Sequence, residues 1–373
     1  VYPVFERLDI SPVVRLRPAP LRNTRFVLDG HLGKLARLLR MLGFDASWRA
    51  DRDDEAIIDR SLQQGRIILT RDVGLLKHGR VTHGYWLRSQ QPARQLEEVV
   101  LALDLAGQIN PFSRCMDCNG EIGSAAVEDL EGTLDPNIIA RFDRFWRCHD
   151  CGKIYWCGSH HERMLQTVRL VECRALIEKL LDPAAYPHET GHIQLIETHI
   201  SWVILTGDYA YKLKKPVKLG FLDFSTPERR RQLCEEELRV NRRTAPQLYL
   251  DIVPIGASKE GIRVGAEPAV EHAVRMRQFP HAARLDRCLQ SGRLGLVDMR
   301  KLAATIARFH AGLPSCGATE AADMAERAAR PARKNFVHLD PDRLADGLQQ
   351  KLAVIESWTL QQADALQQVF RSR

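Results

Sequence analysis

Short apolar runs alternate with helix-like patterns over the first third of the chain. Three of the runs have strand length and predict strands: residues 26–28, 44–48 and 66–70. Between the first two, leucines recur at helical spacing over residues 32–42, and a second amphipathic pattern follows the acidic residues 53–55. Gly43 and Gly65 supply the C-terminal stops of these helices. Strands that alternate with helices in this way predict a parallel α/β sheet.

The pattern changes character along the rest of the chain. A further strand over residues 81–88 and a helix over residues 92–105 complete the predicted α/β core. A helix-like segment and a Pro/Gly-containing linker follow, over residues 165–181 and 182–191. Three successive strands are then predicted over residues 193–196, 202–205 and 209–213, with a Gly-Asp hairpin turn before the third. A charged helix over residues 228–243 follows, and together these elements predict a further domain of α+β type.

Three aspartates stand where the first elements begin or end. Asp29 follows the first strand, Asp72 follows the third, and Asp54 opens the second helix. Because sites on parallel sheets form beyond the carboxyl ends of the strands, we expect the three carboxylates to gather at one edge. They would stay ionised together only around a divalent cation, and hard oxygen ligands favour magnesium or manganese. The spacing predicts a metal-dependent site that activates water against a phosphodiester.

The same aspartates have a plainer interpretation. Asp29 would cap a turn, Asp54 would cap a helix, and Asp72 would start a loop. Glu55 also competes with Asp54 for the acidic role. Spacing alone leaves these interpretations open.

Composition and charge permit nucleic-acid binding without requiring it. The chain has 373 residues, of which 45% are hydrophobic and 27% charged, so it can form two or more domains. Lys plus Arg exceed Asp plus Glu by 54 to 47, and Lys34, Arg37 and Arg40 line one face of the first helix. Apolar runs fall short of the roughly 20 residues that span a bilayer, and no signal peptide opens the chain. We therefore expect a cytoplasmic protein with no membrane partner.

Two Cys-x-x-Cys pairs give the strongest chemical signal. They are formed by Cys115, Cys118, Cys148 and Cys151. Each such turn can point two sulfurs at one ion, so the pairs predict a closed, tetrahedral, structural zinc site. The alternatives are four ordinary buried cysteines, or a ligand set that includes the nearby Cys157 or His160. His160 could instead face the RNA or the acidic site.

Basic and aromatic residues interleave around the second pair. They are Arg141, Arg144, Phe145, Trp146, Arg147, Lys153, Tyr155 and Trp156. This pattern suits phosphate contact and base stacking, although the aromatic side chains can equally pack the ribbon itself.

The motif Phe-Val-Leu-Asp-Gly-His-Leu-Gly-Lys-Leu-Ala-Arg-Leu-Leu-Arg, followed by Asp-Asp-Glu and Ile-Leu-Thr-Arg-Asp, resembles the PIN-like mutator-seven C-terminal ribonuclease domain. The resemblance covers about residues 22–170 and implies a PIN-type α/β fold with an acidic, metal-dependent ribonuclease site. It assigns the acidic roles to Asp29, Asp54 and Asp72. It makes Lys34 and Arg71 candidate phosphate contacts, and it implies that His160, in a stretch similar to the family's segment after the ribbon, faces the RNA or the acidic site. Arg37, on the basic face of the first helix, is a further expected RNA contact.

From about His192 the chain resembles the aminoglycoside-phosphotransferase-like kinases. The resemblance rests on Ile-Ser-Trp-Val, Ala-Tyr-Lys-Leu-Lys-Lys-Pro-Val and Leu-Asp-Phe-Ser-Thr, followed by Glu-Glu-Glu-Leu-Arg. It implies a kinase-like N-lobe in which Lys212 holds nucleotide phosphates and Glu237 pairs with it. Lys214 and Glu236 are close rivals for these roles.

The departures from the kinase pattern matter for activity. The first strand turn lacks a glycine-rich loop, and no His-Gly-Asp catalytic loop follows. The nearest candidate begins at His338, and Ala345 stands where a magnesium-binding asparagine is needed. We therefore expect a truncated kinase-like domain with a partial helical region and no phosphoryl transfer.

These observations predict an α/β PIN-like ribonuclease with a zinc ribbon and an appended, incomplete α+β kinase-like domain. We expect a remnant of a ubiquitin-like domain with its linker over residues 1–21, and a nuclease core over residues 22–110. A ribbon with its closing segment follows over residues 111–170, and a helix with a linker over residues 171–191. The kinase-like part covers residues 192–373. Two other functions stay open. One is a small-molecule phosphotransferase in a longer parent chain, and the other is a non-catalytic RNA-binding module.

Overall fold

The computed structural model describes residues 24–130, 132–219, 222–258, 261–314, 318–337, 339, 344–366 and 369. They divide into two compact units, with the boundary between Gln278 and Phe279. In this part of the chain, no helix has the length and apolar character needed to cross a membrane. The expected ubiquitin-like remnant at residues 1–21 lies outside the described residues.

A parallel sheet forms the start of the first unit. Its strands are β1 (Arg25–Leu28), β2 (Asp45–Trp48), β3 (Ile67–Thr70) and β4 (Gly84–Trp86). The spatial order is β2-β1-β3-β4, and all neighbouring pairs run parallel. The connecting helices are α1 (Gly33–Met41), α2 (Asp54–Gln64) and α3 (Val73–Lys77), and α4 (Pro92–Ala102) follows β4. The prediction of a parallel α/β sheet is confirmed.

Apolar side chains cover both faces of this sheet. Phe26 and Leu28 belong to a core with α1 and α4 on one face, whereas Val27 and Ile68 pack with α2 on the other. A parallel sheet covered on both faces needs apolar residues at consecutive positions, which explains the unbroken runs in the sequence.

A small antiparallel sheet carries the cysteine pairs. It consists of β5 (Ile122–Ala125), β6 (Phe145–Cys148) and β7 (Ile154–Trp156), in that order, with the short helix α5 (Pro136–Arg141) between β5 and β6. We call residues 111–158 the ribbon.

A long helix, α6 (Ser159–Lys179), follows the ribbon. Val168 and Val171 in its first part belong to the core of the parallel sheet. Ile177 in its last part belongs to a second core. The expected domain boundary at residue 170 therefore falls inside one helix that both cores share.

The second core lies against a six-stranded antiparallel sheet. Its strands, in spatial order, are β14 (Gly261–Val264), β13 (Tyr249–Ser258), β15 (Ala269–Arg277), β10 (Tyr209–Lys214), β9 (Ser201–Leu205) and β8 (Gln194–Glu197). Two short strands, β11 (Lys218–Leu219) and β12 (Leu222–Asp223), precede the helix α7 (Pro227–Asn241). Arg230 of α7 and Glu271 of β15 form a buried ion pair of 2.6 Å. The meander β8-β9-β10 and its Gly207 turn confirm the pattern, whereas the pattern did not predict β13 to β15.

The second unit contains four helices among its described residues. They are α8 (Leu285–Gln290), α9 (Leu296–Ala311), α10 (Ala318–Val337) and α11 (Asp346–Ala365). Ala345 is the N-cap of α11, while His338, the start of the candidate catalytic loop, lies outside the described residues.

Candidate functional site

Two of the three aspartates meet at the carboxyl edge of the parallel sheet through one threonine. Asp29 directly follows β1, and its backbone N–H still donates to Leu69 of β3. The Thr70 hydroxyl donates to Asp29 Oδ2 over 2.7 Å and accepts from the backbone N–H of Asp72 over 2.9 Å. Thr70 is fully buried. It is a site residue that sequence reasoning missed, and its place at the end of the third apolar run was the available signal.

Asp54 lies in the first turn of α2 and does not cap that helix. The N-cap is Asp53, whose Oδ1 accepts from the backbone N–H of Ala56 over 2.8 Å. The rival Glu55 pairs with Arg80 over 2.6 Å. The structure therefore leaves Asp54 available for the site and gives Glu55 another partner.

The charges of Asp29 and Asp72 act on Asp54. Partial burial and then the negative charges of Asp29 and Asp72 raise the pKa of Asp54 above its usual range. Asp54 and Asp72 are exposed, and Asp29 is half-buried, so the site is open to solvent. The carboxylate oxygens of the three aspartates do not all lie within 4.8 Å of one another. Among the described residues, the four cysteines are the only group of three or more possible metal ligands that lie this close together.

One of the aspartates has a local structural role, although not the loop start that was expected for it. Asp72 is the N-cap of α3, and its Oδ1 accepts from the backbone N–H of Gly74 over 2.6 Å. The Asp29 carboxylate makes no capping hydrogen bond and receives the Thr70 hydroxyl instead. Helix capping therefore accounts for one carboxylate oxygen of Asp72, and it does not account for the carboxylates of Asp29 and Asp54.

The predicted basic contacts are all exposed. Lys34 and Arg37 lie on α1, which begins four residues after Asp29, and Arg71 lies between β3 and Asp72. Arg37 forms an ion pair of 3.1 Å with Asp117 of the ribbon. His160 lies apart from these in sequence, in the first turn of α6.

The four predicted cysteines form one cluster. Every pair of their sulfurs lies within 4.8 Å, with Cys118 to Cys148 at 3.4 Å and Cys115 to Cys151 at 3.7 Å. A tetrahedron with metal–sulfur bonds of ~2.3 Å has edges of about 3.8 Å, so the cluster can hold one metal ion. Cys157 and His160 are not members of it.

Local hydrogen bonds favour the thiolate form at one of these positions. Burial alone would raise the pKa of Cys115, but backbone N–H groups of Cys118 and Asp117 and the Tyr155 hydroxyl lower it to about 6. The Tyr155 hydroxyl lies 3.0 Å from the Cys115 sulfur. A thiolate is the form that binds metal.

The two cysteine turns have the same backbone geometry. In each, a left-handed residue follows the second cysteine, with φ of 75° at Asn119 and 71° at Gly152. The N–H of that residue donates to the carbonyl of the first cysteine, over 2.9 and 3.0 Å respectively. Asparagine and glycine are the residues that adopt this conformation most readily, which explains why they occupy these positions.

The first cysteine turn is tied to the parallel sheet. Buried Arg40 of α1 donates to the carbonyls of Met116 and Asp117, and Asn119 accepts from the backbone N–H of Ala46 over 2.9 Å. Burial lowers the pKa of Arg40, the largest influence on that group. Sequence reasoning assigned Arg40 to a basic surface, whereas the structure buries it beneath the ribbon.

The predicted kinase-like pair is joined in the structure. Glu237 of α7 accepts from Lys212 over 2.7 Å and from Lys214 over 2.6 Å. Burial would raise the pKa of Glu237, but the two lysines lower it. The Lys212 side chain is 28% exposed and that of Lys214 only 6%, and the rival Glu236 pairs with Arg239 instead. Lys212 is therefore the lysine that a ligand can reach.

Comparison with known proteins finds a family similarity in the first part of the chain. Residues 24–168 match the family model of the Mut7-C RNAse domain. Uncharacterized proteins of Mycobacterium bovis and of two Mycobacterium tuberculosis strains are each 37% identical over 118 residues, which is 32% of this chain and 22% of each relative. The chain thus spans about a fifth of the length of these relatives, and no solved structure matches it. Residues 24–168 are therefore similar to the Mut7-C RNAse domain, and this segment contains the four-cysteine cluster.

Proposed function

We propose that this domain is a metal-dependent endoribonuclease that hydrolyses phosphodiester bonds of RNA. The observation that carries the proposal is the Thr70 hydroxyl, which donates to the Asp29 carboxylate and accepts from the backbone N–H of Asp72 at the carboxyl edge of the parallel sheet. Partial burial and then the charges of Asp29 and Asp72 raise the pKa of Asp54, which agrees with its place beside them. The three aspartates come from separate elements of the chain. Anionic side chains assembled at an open edge of a sheet suit the binding of a cation.

The donor chemistry favours magnesium or manganese. The side chains of Asp29, Asp54 and Asp72 offer hard carboxylate oxygens, which these ions prefer. A bound ion would lower the pKa of a water molecule and stabilise the leaving oxygen. Thr70 supports this arrangement because its hydroxyl bond fixes the Asp29 carboxylate and its oxygen holds the backbone of Asp72.

Exposed basic side chains supply the contacts with the RNA backbone in this proposal. Lys34 and Arg71 flank the acidic edge along the sequence, and Arg37 extends the basic face of α1. His160 is a further candidate contact on α6. Their charges would orient the phosphodiester, while the aspartates hold the cation.

The test is a cleavage assay on single-stranded RNA with magnesium, with manganese and with neither. Asp29→Asn, Asp54→Asn and Asp72→Asn should each lower the rate by orders of magnitude. Asp53→Asn is the matched control, because asparagine preserves the N-cap of α2 while removing a neighbouring charge. If the three aspartate variants give the same cleavage as the parent protein, that cleavage does not arise at the aspartates and the proposed nuclease site is wrong, which favours a non-catalytic RNA-binding module.

We infer that the ion of the cysteine cluster is a structural zinc. Four thiolate ligands leave no open coordination position, so this ion would stabilise the ribbon and take no part in hydrolysis. Elemental analysis of purified protein should find about one zinc per chain. Cys148→Ser should lose the zinc and unfold the ribbon, whereas Cys157→Ser should retain it. Protein that folds without any bound zinc would overturn this inference.

A second candidate function is nucleotide binding at Lys212. The favouring observation is the ion pair between Lys212 on a strand and Glu237 on the neighbouring helix, an arrangement that kinases use to hold nucleotide phosphates. A fluorescent ATP analogue should bind, and Lys212→Ala should weaken that binding about tenfold or more, while Lys218→Ala on the exposed strand β11 should not. Equal binding by the two variants would remove this candidate. We expect no phosphoryl transfer in either case.

A further inference from the structure

The ribbon and the start of α6 enclose a cavity of about 200 Å³. Aromatic and thioether side chains form most of its walls: Phe112, Met116, Trp146, Tyr155, Trp156 and His161. Each of these residues is partly exposed, so the cavity opens to solvent. An open apolar cavity of this kind is typical of a binding site.

The size of this ribbon cavity limits what it can hold. Pockets for drug-sized ligands enclose ~300–1,000 Å³, whereas one water molecule takes ~30 Å³. At about 200 Å³, the cavity suits a single planar ring system. Aromatic walls favour a ring with a π-face, such as an unpaired nucleobase.

Backbone geometry fixes one wall of the cavity. Phe112 has a φ of 61°, in the left-handed region that residues other than glycine rarely adopt. Its N–H donates to Met41, at the end of α1, over 2.9 Å. Its ring lies 4.6 Å from that of His161, at a tilt of 43°. Strained residues of this kind cluster at ligand sites, because the surrounding structure must hold them in place.

Helix α1 connects the cavity to the acidic edge. It begins at Gly33, close to Asp29, and ends at Met41, to which Phe112 is bonded. At ~1.5 Å per residue, such a nine-residue helix spans about 14 Å. Lys34 and Arg37 are exposed along it. The helix therefore runs from the neighbourhood of Asp29 to the residue that anchors one wall of the cavity, with exposed basic side chains along it.

We propose that the ribbon cavity binds one unpaired base of single-stranded RNA, with the adjoining phosphates on the exposed basic face of α1. The identity of the strand as RNA rests on the proposed ribonuclease function. A base held in this position sets the register of the strand, so cleavage would fall at a fixed distance from it. The ribbon would thus have a role in substrate selection as well as in stability.

The test compares two labelled ligands by fluorescence anisotropy, without added magnesium or manganese. One is a uridine hexamer of RNA, and the other is an abasic hexamer with the same phosphates. The parent protein should bind the uridine hexamer about tenfold or more tightly, because stacking contributes substantially for each base. Trp146→Ala should weaken binding of the uridine hexamer about tenfold and leave binding of the abasic hexamer unchanged.

Two further variants distinguish loss of the base site from misfolding of the ribbon. His161→Ala removes a different wall of the cavity from a partly exposed position and should have the same selective effect. Trp358→Ala is the matched control, because Trp358 is 61% exposed on α11 in the second compact unit. The zinc content of each variant reports whether the ribbon has folded.

The outcomes separate this proposal from the proposed nuclease. Equal binding of the two hexamers by the parent protein, or unchanged uridine binding in both folded cavity variants, overturns the base site. Base-dependent binding without any cleavage keeps the base site and removes the nuclease. Cleavage that depends on the aspartates could keep the same rate and position in Trp146→Ala and His161→Ala. That outcome supports the proposed nuclease and contradicts the proposed base site.

Discussion

Thr70 holds two of the three aspartates through one hydroxyl group, and this makes it the most informative single position outside the acidic trio. Valine has nearly the same shape but cannot donate to Asp29 or accept from the Asp72 N–H. We expect Thr70→Val to lower the cleavage rate about 10–100-fold, as the loss of outer-shell partners typically does at metal sites. Single-turnover cleavage at saturating magnesium measures this loss.

Serine at the same position provides the control. Thr70→Ser keeps the hydroxyl and loses a methyl group, so its cleavage rate should stay close to that of the parent protein. If the serine and valine variants lose the same activity, the buried methyl group matters and the hydroxyl does not.

Asp54 should make stability depend on pH. Its pKa is raised in the folded protein, so ionisation of Asp54 opposes folding. This cost is absent at low pH, where the group is protonated in both states, and grows as pH rises from the unfolded-state pKa through the folded-state pKa. Without added cation, Asp54→Asn should therefore raise the melting temperature at pH 7.5.

Differential scanning fluorimetry at pH 7.5 and pH 4 checks this expectation. The gain from Asp54→Asn should shrink at the lower pH, and added magnesium should stabilise the parent protein more than the variant. Asp54→Asn that destabilises the protein at pH 7.5 would show that the carboxylate makes a favourable contact in the folded state.

At the scale of elements, the first cysteine turn depends on Arg40 of α1. Its guanidinium donates to the carbonyls of Ala46, Met116 and Asp117 from a buried position. Arg40→Met would leave these carbonyls without their donor, and hydrogen bonds to charged groups contribute ~1.5–3 kcal/mol each. We expect a loss of about 3 kcal/mol or more in the free energy of unfolding, and faster release of zinc to a chromogenic chelator.

Arg37 on the same helix is the matched comparison. It is exposed and reaches the same turn through one ion pair with Asp117, which is worth ~0–1 kcal/mol. Urea unfolding of Arg37→Met should therefore stay within about 1 kcal/mol of the parent protein. Equal losses in the two variants would mean that the surface ion pair, and not the buried guanidinium, holds the turn.

The accuracy of the sequence predictions varies between elements for physical reasons. Strands β1 and β3 were predictable because both faces of their sheet are buried, so apolar residues follow one another. Strand β15 was not, because its Glu271 reads as a surface residue until Arg230 of α7 supplies a buried partner. The start of α6 was placed six residues late because Gly158 provides no capping side chain and the first turn is polar.

The same distinction applies to the candidate site. The cysteine cluster was predictable because two short motifs carry its four members. The catalytic role of the three aspartates also came from short motifs and stays a prediction. Thr70 and Arg40 were missed in their actual roles because their partners lie 41 and 76 residues away, respectively, in the chain. Local patterns specify which residues an element offers, but only the assembled fold determines which of them meet.

At the scale of the whole molecule, α6 joins the parallel sheet to the antiparallel sheet. Val171 lies in the core of the parallel sheet, and Ile177, less than two turns later, lies in the core of the antiparallel sheet. A continuous helix cannot lose one half of its packing without weakening the other. The two sheets should therefore unfold together, although sequence resemblance assigns them to different families.

Hydrogen exchange of Val171→Ala tests this coupling. Removing two methyl groups from a buried site should cost about 2 kcal/mol. If unfolding is shared, backbone amides of β9 and β10 should lose protection as much as those of β1 and β3. Leu302→Ala on α9, in the other compact unit, should leave the amides of both sheets unchanged. Lost protection confined to β1 and β3 would show that the parallel sheet opens independently and that α6 only tethers the two sheets.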